Sequence, residues 1–195
     1  MNLYNMLDKK YLGKVRVELL AYTDKRRAVI KSAGDAQHLA KKAIFALQRD
    51  DFKGAEEYLQ KSTEIILDLF KTYKKEADVL DEGSFRAALE EYAEAKLFSQ
   101  FVYKKTISSL KEFTVDADTY IGGLSDVVGE IYRYAIKSAT EKKFDEVERC
   151  YLEAEDIISE MVDMNLTGYN RQKFDQAKGA LQKLEQVRYE VSLRR

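Results

Sequence analysis

An all-α fold of six to seven long amphipathic helices packed in a bundle is predicted by three features of this sequence. The chain has 195 residues with no proline and nine glycines, whereas average usage would give about ten prolines in this length. Proline interrupts helices because it lacks an N–H donor and clashes with the preceding turn. Apolar residues make up 45% and charged residues 34% of the chain, which suits helices with one apolar and one charged face. A chain of this length can bury one core, so we predict a single helical domain over residues 1–195.

Six principal helices are predicted, over residues 3–48, 51–80, 85–106, 116–141, 144–163 and 169–193. The later part of the first has a stripe of apolar residues at helical spacing, although a break near Gly13 or Gly34 is expected. Asp50 or Asp51 can cap the second helix, because a carboxylate accepts hydrogen bonds from the free N–H groups at a helix start.

Short polar segments separate the remaining helices. Gly83 is predicted to end the second helix and Ser84 to cap the third. The stretch 108–115 is expected to be an irregular connection, after which Asp116 or Asp118 starts the fourth helix.

A weak internal repeat supports the same boundaries. At a constant offset along the chain, several residues of the first two helices recur in the fourth and fifth. Each copy is a helix end, a short turn and a new helix that starts with a phenylalanine, Phe52 in the first copy and Phe144 in the second. The repeat predicts two similar helical hairpins in one bundle.

Composition also excludes several classes of protein. No stretch approaches the roughly 20 apolar residues of a membrane span, and the start, MNLYNMLDKK, lacks the pattern of a signal peptide. Cys150 is the only cysteine, so an internal disulfide is impossible. We therefore expect a cytoplasmic protein without a membrane partner. The net charge of −1 argues against a simple nucleic-acid-coating protein unless its positive charge is concentrated on one surface.

Two helices each place a pair of carboxylates on one face. Glu91 and Glu94 are three residues apart, and Asp126 and Glu130 are four apart, so the members of each pair share a helix face. If these helices pack together, four carboxylates converge, which is destabilising unless a cation neutralises them. Mg²⁺ favours oxygen ligands, so the pattern predicts a metal-ion phosphoryl-transfer site. The competing interpretation is ordinary solvated charge, since the chain has 34 acidic residues.

Four stretches carry a family resemblance: KAIFALQR at 42–49, LEEYAEA at 89–95, YIGGLSDVVGE at 120–130 and KLEQVRYEVSLR at 183–194. In this order and spacing they are similar to the translin superfamily, from about Asp24 to the end of the chain. The superfamily has two branches, translin, which is a nucleic-acid-binding scaffold, and translin-associated factor X, which carries the acids of a Mg²⁺-dependent endoribonuclease. The resemblance therefore implies a translin-like helical domain.

The acid pairs resemble the second branch. Glu91 and Glu94 match its Glu-x-x-Glu element, and Asp126 and Glu130 match its Asp-x-x-x-Glu element, whose aspartate translin lacks. Two residues depart from the family pattern. Glu90 stands where the family more often has glutamine, which adds charge beside the site, and Gln48 stands where a histidine is common.

The resemblance implies a Mg²⁺-dependent endoribonuclease, with Mn²⁺ as a possible substitute, that holds RNA inside a closed homo-oligomer, an octamer by analogy. Asp126, Glu94 and Glu91 are the expected metal ligands, and Glu130 is a ligand or general base. Arg133 is expected either to contact the scissile phosphate or to pair with Glu130. The expected RNA-binding residues are Arg26, Arg27, Lys31, Arg133, Arg171 and Lys173.

Two other functions remain open from the sequence. An all-α nucleotide pyrophosphatase is suggested because Glu90, Glu91 and Glu94 fit its Glu-Glu-x-x-Glu opening, although the second acid pair does not have that family's spacing. A non-catalytic scaffold for single-stranded RNA or DNA, as in translin, is the alternative of a different class. Asp126 argues against it, because a scaffold needs no acid cluster facing a polyanion.

Overall fold

Seven helices follow one another in a computed structural model that describes residues 7–194. They are α1 (Lys9–Gln48), α2 (Phe52–Thr72), α3 (Ala77–Leu80), α4 (Gly83–Val102), α5 (Ala117–Thr140), α6 (Phe144–Val162) and α7 (Gly168–Ser192). No strand occurs between residues 7 and 194, which confirms the predicted all-α class. The predicted irregular connection also lies outside the helices, between α4 and α5.

Helix α4 occupies the centre of the bundle. It packs against α1 on one side and α5 on the other, while α2 covers α1, and α6 and α7 cover α5. Its aromatic side chains Phe85, Tyr92, Phe98 and Phe101 are at most 1% exposed. A helix that is apolar on most sides needs partners on most sides. A charged residue of α4 that lies between α1 and α5 is therefore buried.

The hairpins α1–α2 and α5–α6 have the same turn, as the internal repeat predicts. Asp50 and Lys142 occupy equivalent positions in the two turns, and each adopts a φ of 61°. The helices after the turns start at Phe52 and Phe144. The predicted caps are also present, since Asp51 accepts a hydrogen bond from the Gly54 N–H at 3.0 Å. Asp116 caps α5 through the Thr119 N–H at 2.7 Å.

Three local predictions were wrong. Helix α1 runs without a break through Gly13 and Gly34, because a glycine weakens a helix by only about 1 kcal/mol; the predicted start at residue 3 lies outside the described residues. The predicted helix 51–80 is divided after Thr72, and the intervening turn lets Val79 of α3 reach the core, where it is fully buried.

The predicted boundary, with Gly83 ending the second helix and Ser84 capping the third, was the third error. Helix α4 already starts at Gly83, and the side chain of Glu82 at the cap position accepts no hydrogen bond from the backbone of this helix. Ser84 thus lies inside the first turn, where its buried hydroxyl has no hydrogen-bond partner among the described residues.

The first part of α1, residues 9–20, is exposed along its whole length. We call it the amino-terminal arm. The first fully buried residue of α1 is Val29. Several large apolar side chains of the arm face solvent, namely Tyr11, Leu12, Val15, Val17, Leu19 and Leu20. Over the described part of the chain, no helix has both the length and the apolar character needed to cross a bilayer.

Candidate functional site

A close crossing of α4 and α5 brings the two acid pairs together. At Gly123 of α5, a Cβ atom would lie 2.9 Å from the backbone nitrogen of Glu94 and 3.0 Å from the backbone oxygen of Glu90. Real Cβ atoms do not approach backbone this closely, so only glycine allows this helix separation. The next turn of α5 then carries Asp126 beside the α4 acids.

Glu94 lies at the centre of the acid cluster and has no direct partner. Its residue is 9% exposed, and its carboxylate makes no hydrogen bond or ion pair with residues 7–194. Burial, followed by the negative charges of Asp126, Glu91 and Glu130, raises the pKa of Glu94 to about 9. All four predicted site acids therefore lie close enough to interact electrostatically, and Glu94 holds a proton at neutral pH in this arrangement.

The other three acids are each held by donors from distant parts of the chain. Glu91 accepts from Gln37 of α1 at 3.5 Å and pairs with Lys41 at 3.4 Å. Burial raises the pKa of Glu91, and Lys41 and Gln37 oppose this effect. These contacts fix α1 against the acid-bearing face of α4.

Glu130 is bound from two sides. The Gln48 side-chain amide donates to its carboxylate at 2.8 Å and to its backbone carbonyl at 2.9 Å. Arg133 donates to both carboxylate oxygens, at 2.9 and 3.1 Å. The Arg133 guanidinium also lies 5.4 Å from the ring of Phe45. Glu130 therefore has a fixed orientation at the edge of the cluster.

Asp126 and Glu90 share the ammonium group of Lys173 on α7. The ammonium donates to Asp126 and lies 2.8 Å from Glu90. Burial lowers the pKa of Lys173, but the hydrogen bonds to Asp126 and Glu90 outweigh burial and leave this pKa raised. For Asp126, burial raises the pKa and Lys173 counteracts it.

The donor chemistry of the cluster suits a hard divalent cation, because every candidate ligand is a carboxylate oxygen. Among residues 7–194, however, no three acidic, histidine or cysteine side chains are arranged to hold a metal ion. The physical reason is that three of the acids point towards basic side chains of the protein: Glu91 towards Lys41, Asp126 towards Lys173 and Glu130 towards Arg133. Of the four acids, only Glu94 has no ion pair within the described part of the chain. Metal binding would require these side chains to rotate.

An open cleft of about 710 Å³ gives solvent access to the cluster. Glu91, Asp126 and Lys173 line one part of it, and Arg86 and the start of α5 line the other. The cleft is large enough to admit part of a polymeric substrate to the acids.

Comparison with known proteins identifies the family. The sequence profile of the translin family matches residues 24–195. The chain belongs to the translin family. This finding confirms the resemblance seen in the sequence.

Solved structures have the same fold as this translin-family chain. Apo-NeC3PO superposes with a TM-score of 0.84 at 21% identity, over 96% of this chain and 99% of that chain. AfC3PO gives 0.84 at 22% identity, over 95% and 98% of the two chains. AfC3PO in a complex with duplex RNA gives 0.83 at 22% identity, again over 95% and 98%. No curated protein has a significant match to this sequence.

The predicted RNA-binding residues of the translin-family chain fall into two groups. Arg133 and Lys173 lie at the acid cluster, each paired with one of its carboxylates. The others lie elsewhere on α1 and α7. Arg26 forms a two-pronged pair with Glu82, and Arg171 pairs with Asp175.

Arg27 and Lys31 are exposed on α1, where Arg27 lies 3.7 Å from Asp24. Within this chain the structure therefore does not bring all six basic residues together.

Five residues around the acids were not assigned a site role from the sequence. They are Gln37, Lys41, Gln48, Glu90 and Tyr169. Only Gln48 and Glu90 had a sequence signal, because each departs from the pattern of the translin family. The others reach the cluster from helices far away in the sequence, and helical spacing carries no information about such contacts.

The raised pKa of Glu94 predicts a specific pH dependence of stability. Because the native protein holds this proton more tightly than the unfolded chain, the free energy of unfolding should fall as the pH rises from the usual 4.5 towards about 9. Glu94→Gln should make this slope shallower by at most about 1.4 kcal/mol per pH unit. Urea unfolding in EDTA between about pH 5 and 8 measures the two slopes. Equal slopes would show that Glu94 does not titrate abnormally.

Proposed function

We propose that this translin-family protein is a Mg²⁺-dependent endoribonuclease that cleaves phosphodiester bonds at the cluster of Glu91, Glu94, Asp126 and Glu130. One observation carries the proposal. Glu94 is only 9% exposed and lies among three other acids, with no hydrogen bond or ion pair from its side chain to residues 7–194. A cluster of like charges destabilises the protein, and acids do not help a protein that only binds a polyanion. The cluster is explained if it binds a cation that takes part in phosphodiester hydrolysis.

When bound, Mg²⁺ or Mn²⁺ supplies polarisation of the scissile phosphate and activation of the attacking water. Asp126, Glu94 and Glu91 would provide the oxygen ligands, once Asp126 and Glu91 rotate away from their present partners. Glu130 would serve as a further ligand or accept the proton of the water, and Gln48 and Arg133 hold it at the edge of the cluster. Arg133 is partly exposed and offers a planar fork to a phosphate group.

RNA binding is part of the same proposal. The structure of AfC3PO with duplex RNA supports it through the shared fold. Because the chain has a net charge of −1, an RNA surface needs locally concentrated positive charge. The residues proposed to provide it are Arg26, Arg27, Lys31, Arg133, Arg171 and Lys173.

A homo-oligomer, an octamer that encloses the RNA, completes the proposal. The amino-terminal arm supports it, because an exposed row of large apolar side chains on a helix is typical of a protein–protein contact. If subunits associate through this surface with rotational symmetry, they form a closed assembly. The basic residues of several subunits would then face the same interior.

A non-catalytic scaffold for single-stranded RNA or DNA is the second candidate. One observation favours it, since the ammonium of Lys173 already neutralises Asp126, as it would in a protein that never binds a metal ion. Membership of the translin family is compatible with this scaffold role as well. The same membership disfavours the all-α nucleotide pyrophosphatase.

One experiment separates the two candidates. End-labelled RNA, single-stranded and duplex, is incubated with the protein in Mg²⁺, in Mn²⁺ and in EDTA, and products are resolved on denaturing gels while filter binding is measured in parallel. We expect internal cleavage with either metal ion, no cleavage in EDTA, and binding under all three conditions. Binding without cleavage in both metal ions would refute the nuclease and favour the scaffold.

A further inference from the structure

Lys173 is the one cation that reaches Asp126 within residues 7–194. Its side chain is 16% exposed and joins three helices, since it lies on α7 and contacts Asp126 of α5 and Glu90 of α4. The hydroxyl of Tyr169, one turn earlier on α7, donates to the same Glu90 oxygen at 2.7 Å. The ammonium also lies 5.3 Å from the Tyr169 ring. Lys173 is therefore held by charge, hydrogen bonds and an aromatic face together.

Glu90 is held beside Lys173 by contacts on both of its carboxylate oxygens. One oxygen would lie 2.3 Å from a Cβ atom at Gly122, so it rests against the backbone of α5 where this glycine has no side chain. The other oxygen accepts from the Tyr169 hydroxyl at 2.7 Å and lies 2.8 Å from the Lys173 ammonium. These contacts favour the rotamer that keeps Glu90 beside Lys173.

We propose that Lys173 is a built-in counter-cation of the acid cluster, positioned by Glu90 and Tyr169, and that a divalent cation binds to Asp126 only by displacing the Lys173 ammonium. This inference rests on the proposed function, because it concerns the same acids. It assigns Lys173 a role in controlling the site, and it makes Glu90 and Tyr169 positioning residues.

Two arguments support the displacement. An ammonium in hydrogen-bond contact with Asp126 occupies the space and the charge that a metal ion would need, and the two cations repel strongly at such short range. In addition, Glu94 remains buried and without a partner, so Lys173 does not satisfy the whole cluster. A divalent ion brings more charge than the ammonium and can engage Glu94 as well.

The direct test measures metal binding without RNA. Mn²⁺ is titrated into the metal-free protein and its affinity is followed by electron paramagnetic resonance or calorimetry. In Lys173→Met, which keeps the length of the side chain and removes its charge, we expect Mn²⁺ affinity to rise on the order of tenfold or more. Lys178→Met is the matched control, because Lys178 is an exposed cation of the same helix, and its Mn²⁺ affinity should equal that of the wild type.

A milder variant tests the positioning role and covers the case in which Lys173→Met fails to fold. Tyr169→Phe leaves every formal charge in place and removes only the hydroxyl group that interacts with Glu90 and Lys173, so Mn²⁺ affinity should rise about threefold. Adding Asp126→Asn to either variant should abolish the gain, since the ion binds at that carboxylate.

Equal Mn²⁺ affinities for wild type, Lys173→Met and Tyr169→Phe would overturn the inference, as would the absence of Mn²⁺ binding in all three. These outcomes are distinct from failure of the proposed function. Tighter binding in the variants without RNA cleavage by any of them would refute the nuclease and leave the counter-cation in place. RNA cleavage by the wild type, together with equal Mn²⁺ affinities for the wild type and both variants, would support the nuclease and refute the counter-cation.

Discussion

Asp126→Asn is expected to lower the rate of RNA cleavage in Mg²⁺ by at least about a hundredfold, while RNA binding and assembly persist. Loss of one charged metal ligand removes several kcal/mol of transition-state stabilisation, and each 1.36 kcal/mol corresponds to about tenfold in rate. The substitution keeps the shape of the side chain and opens no cavity. It also leaves Lys173 paired with Glu90, so α7 should stay in place.

A matched control lies on the same helix and in the same cleft. Asp118 also lines the cleft, but its carboxylate accepts a hydrogen bond from Asn170 at 3.0 Å instead of joining the acid cluster. Asp118→Asn keeps that acceptor and removes the charge. Single-turnover cleavage of labelled RNA should give near wild-type rates for Asp118→Asn. An active Asp126→Asn protein would refute the assignment of Asp126 as a metal ligand.

Gly123→Ala is expected to destabilise the protein by about 1–3 kcal/mol, the typical cost of overpacking. The added methyl group would meet the α4 backbone at Glu90 and Glu94 and the Cβ of Ala93, all within 3.0 Å, and backbone cannot rotate out of the way as a side chain can. The helices must therefore separate, which moves Glu94 away from Asp126. Mn²⁺ affinity should fall together with the free energy of unfolding.

Gly129→Ala provides the control for helix propensity. Gly129 lies on the same helix, and a Cβ there would have no neighbour within 4 Å. This substitution should stabilise the protein by about 0.4–1 kcal/mol, because alanine loses less conformational entropy on folding. Urea denaturation of both variants in EDTA measures the two changes. Equal stabilities for Gly123→Ala and Gly129→Ala would show that the α4–α5 crossing tolerates a wider separation.

Local sequence patterns predicted the helices well because most signals for them are local. Asp51 and Asp116 cap helices as expected, since a cap depends on residues within one turn. The division of the second predicted helix was missed for the opposite reason. No glycine or proline lies at the break between α2 and α3. The break lets Val79 pack in the core, and such a tertiary contact leaves no local sequence signal. The misplaced cap at Ser84 reflects the usual uncertainty of helix ends.

The candidate site was predictable only in part. The spacing of Glu91 to Glu94 and of Asp126 to Glu130 reveals which acids share a helix face, but not what lies opposite that face. Lys173 was predicted to bind RNA, which stays a prediction. Its ion pair with Asp126 could not be predicted, because it joins residues 47 apart in the sequence.

The exposed arm of α1 has a consequence for the helix–coil equilibrium of the chain. A helix of 40 residues extends about 60 Å, and residues 9–20 receive no help from the core. A segment of about 12 residues without tertiary contacts is marginal as a helix in water, and the β-branched Val15 and Val17 weaken it further. The arm is wound here because it continues a helix that the core already holds from Val29 onwards, so its own turns contribute little stability. In the homo-oligomer proposed above, burial of the apolar side of the arm would stabilise these turns, and the helix content of the protein would then depend on its concentration.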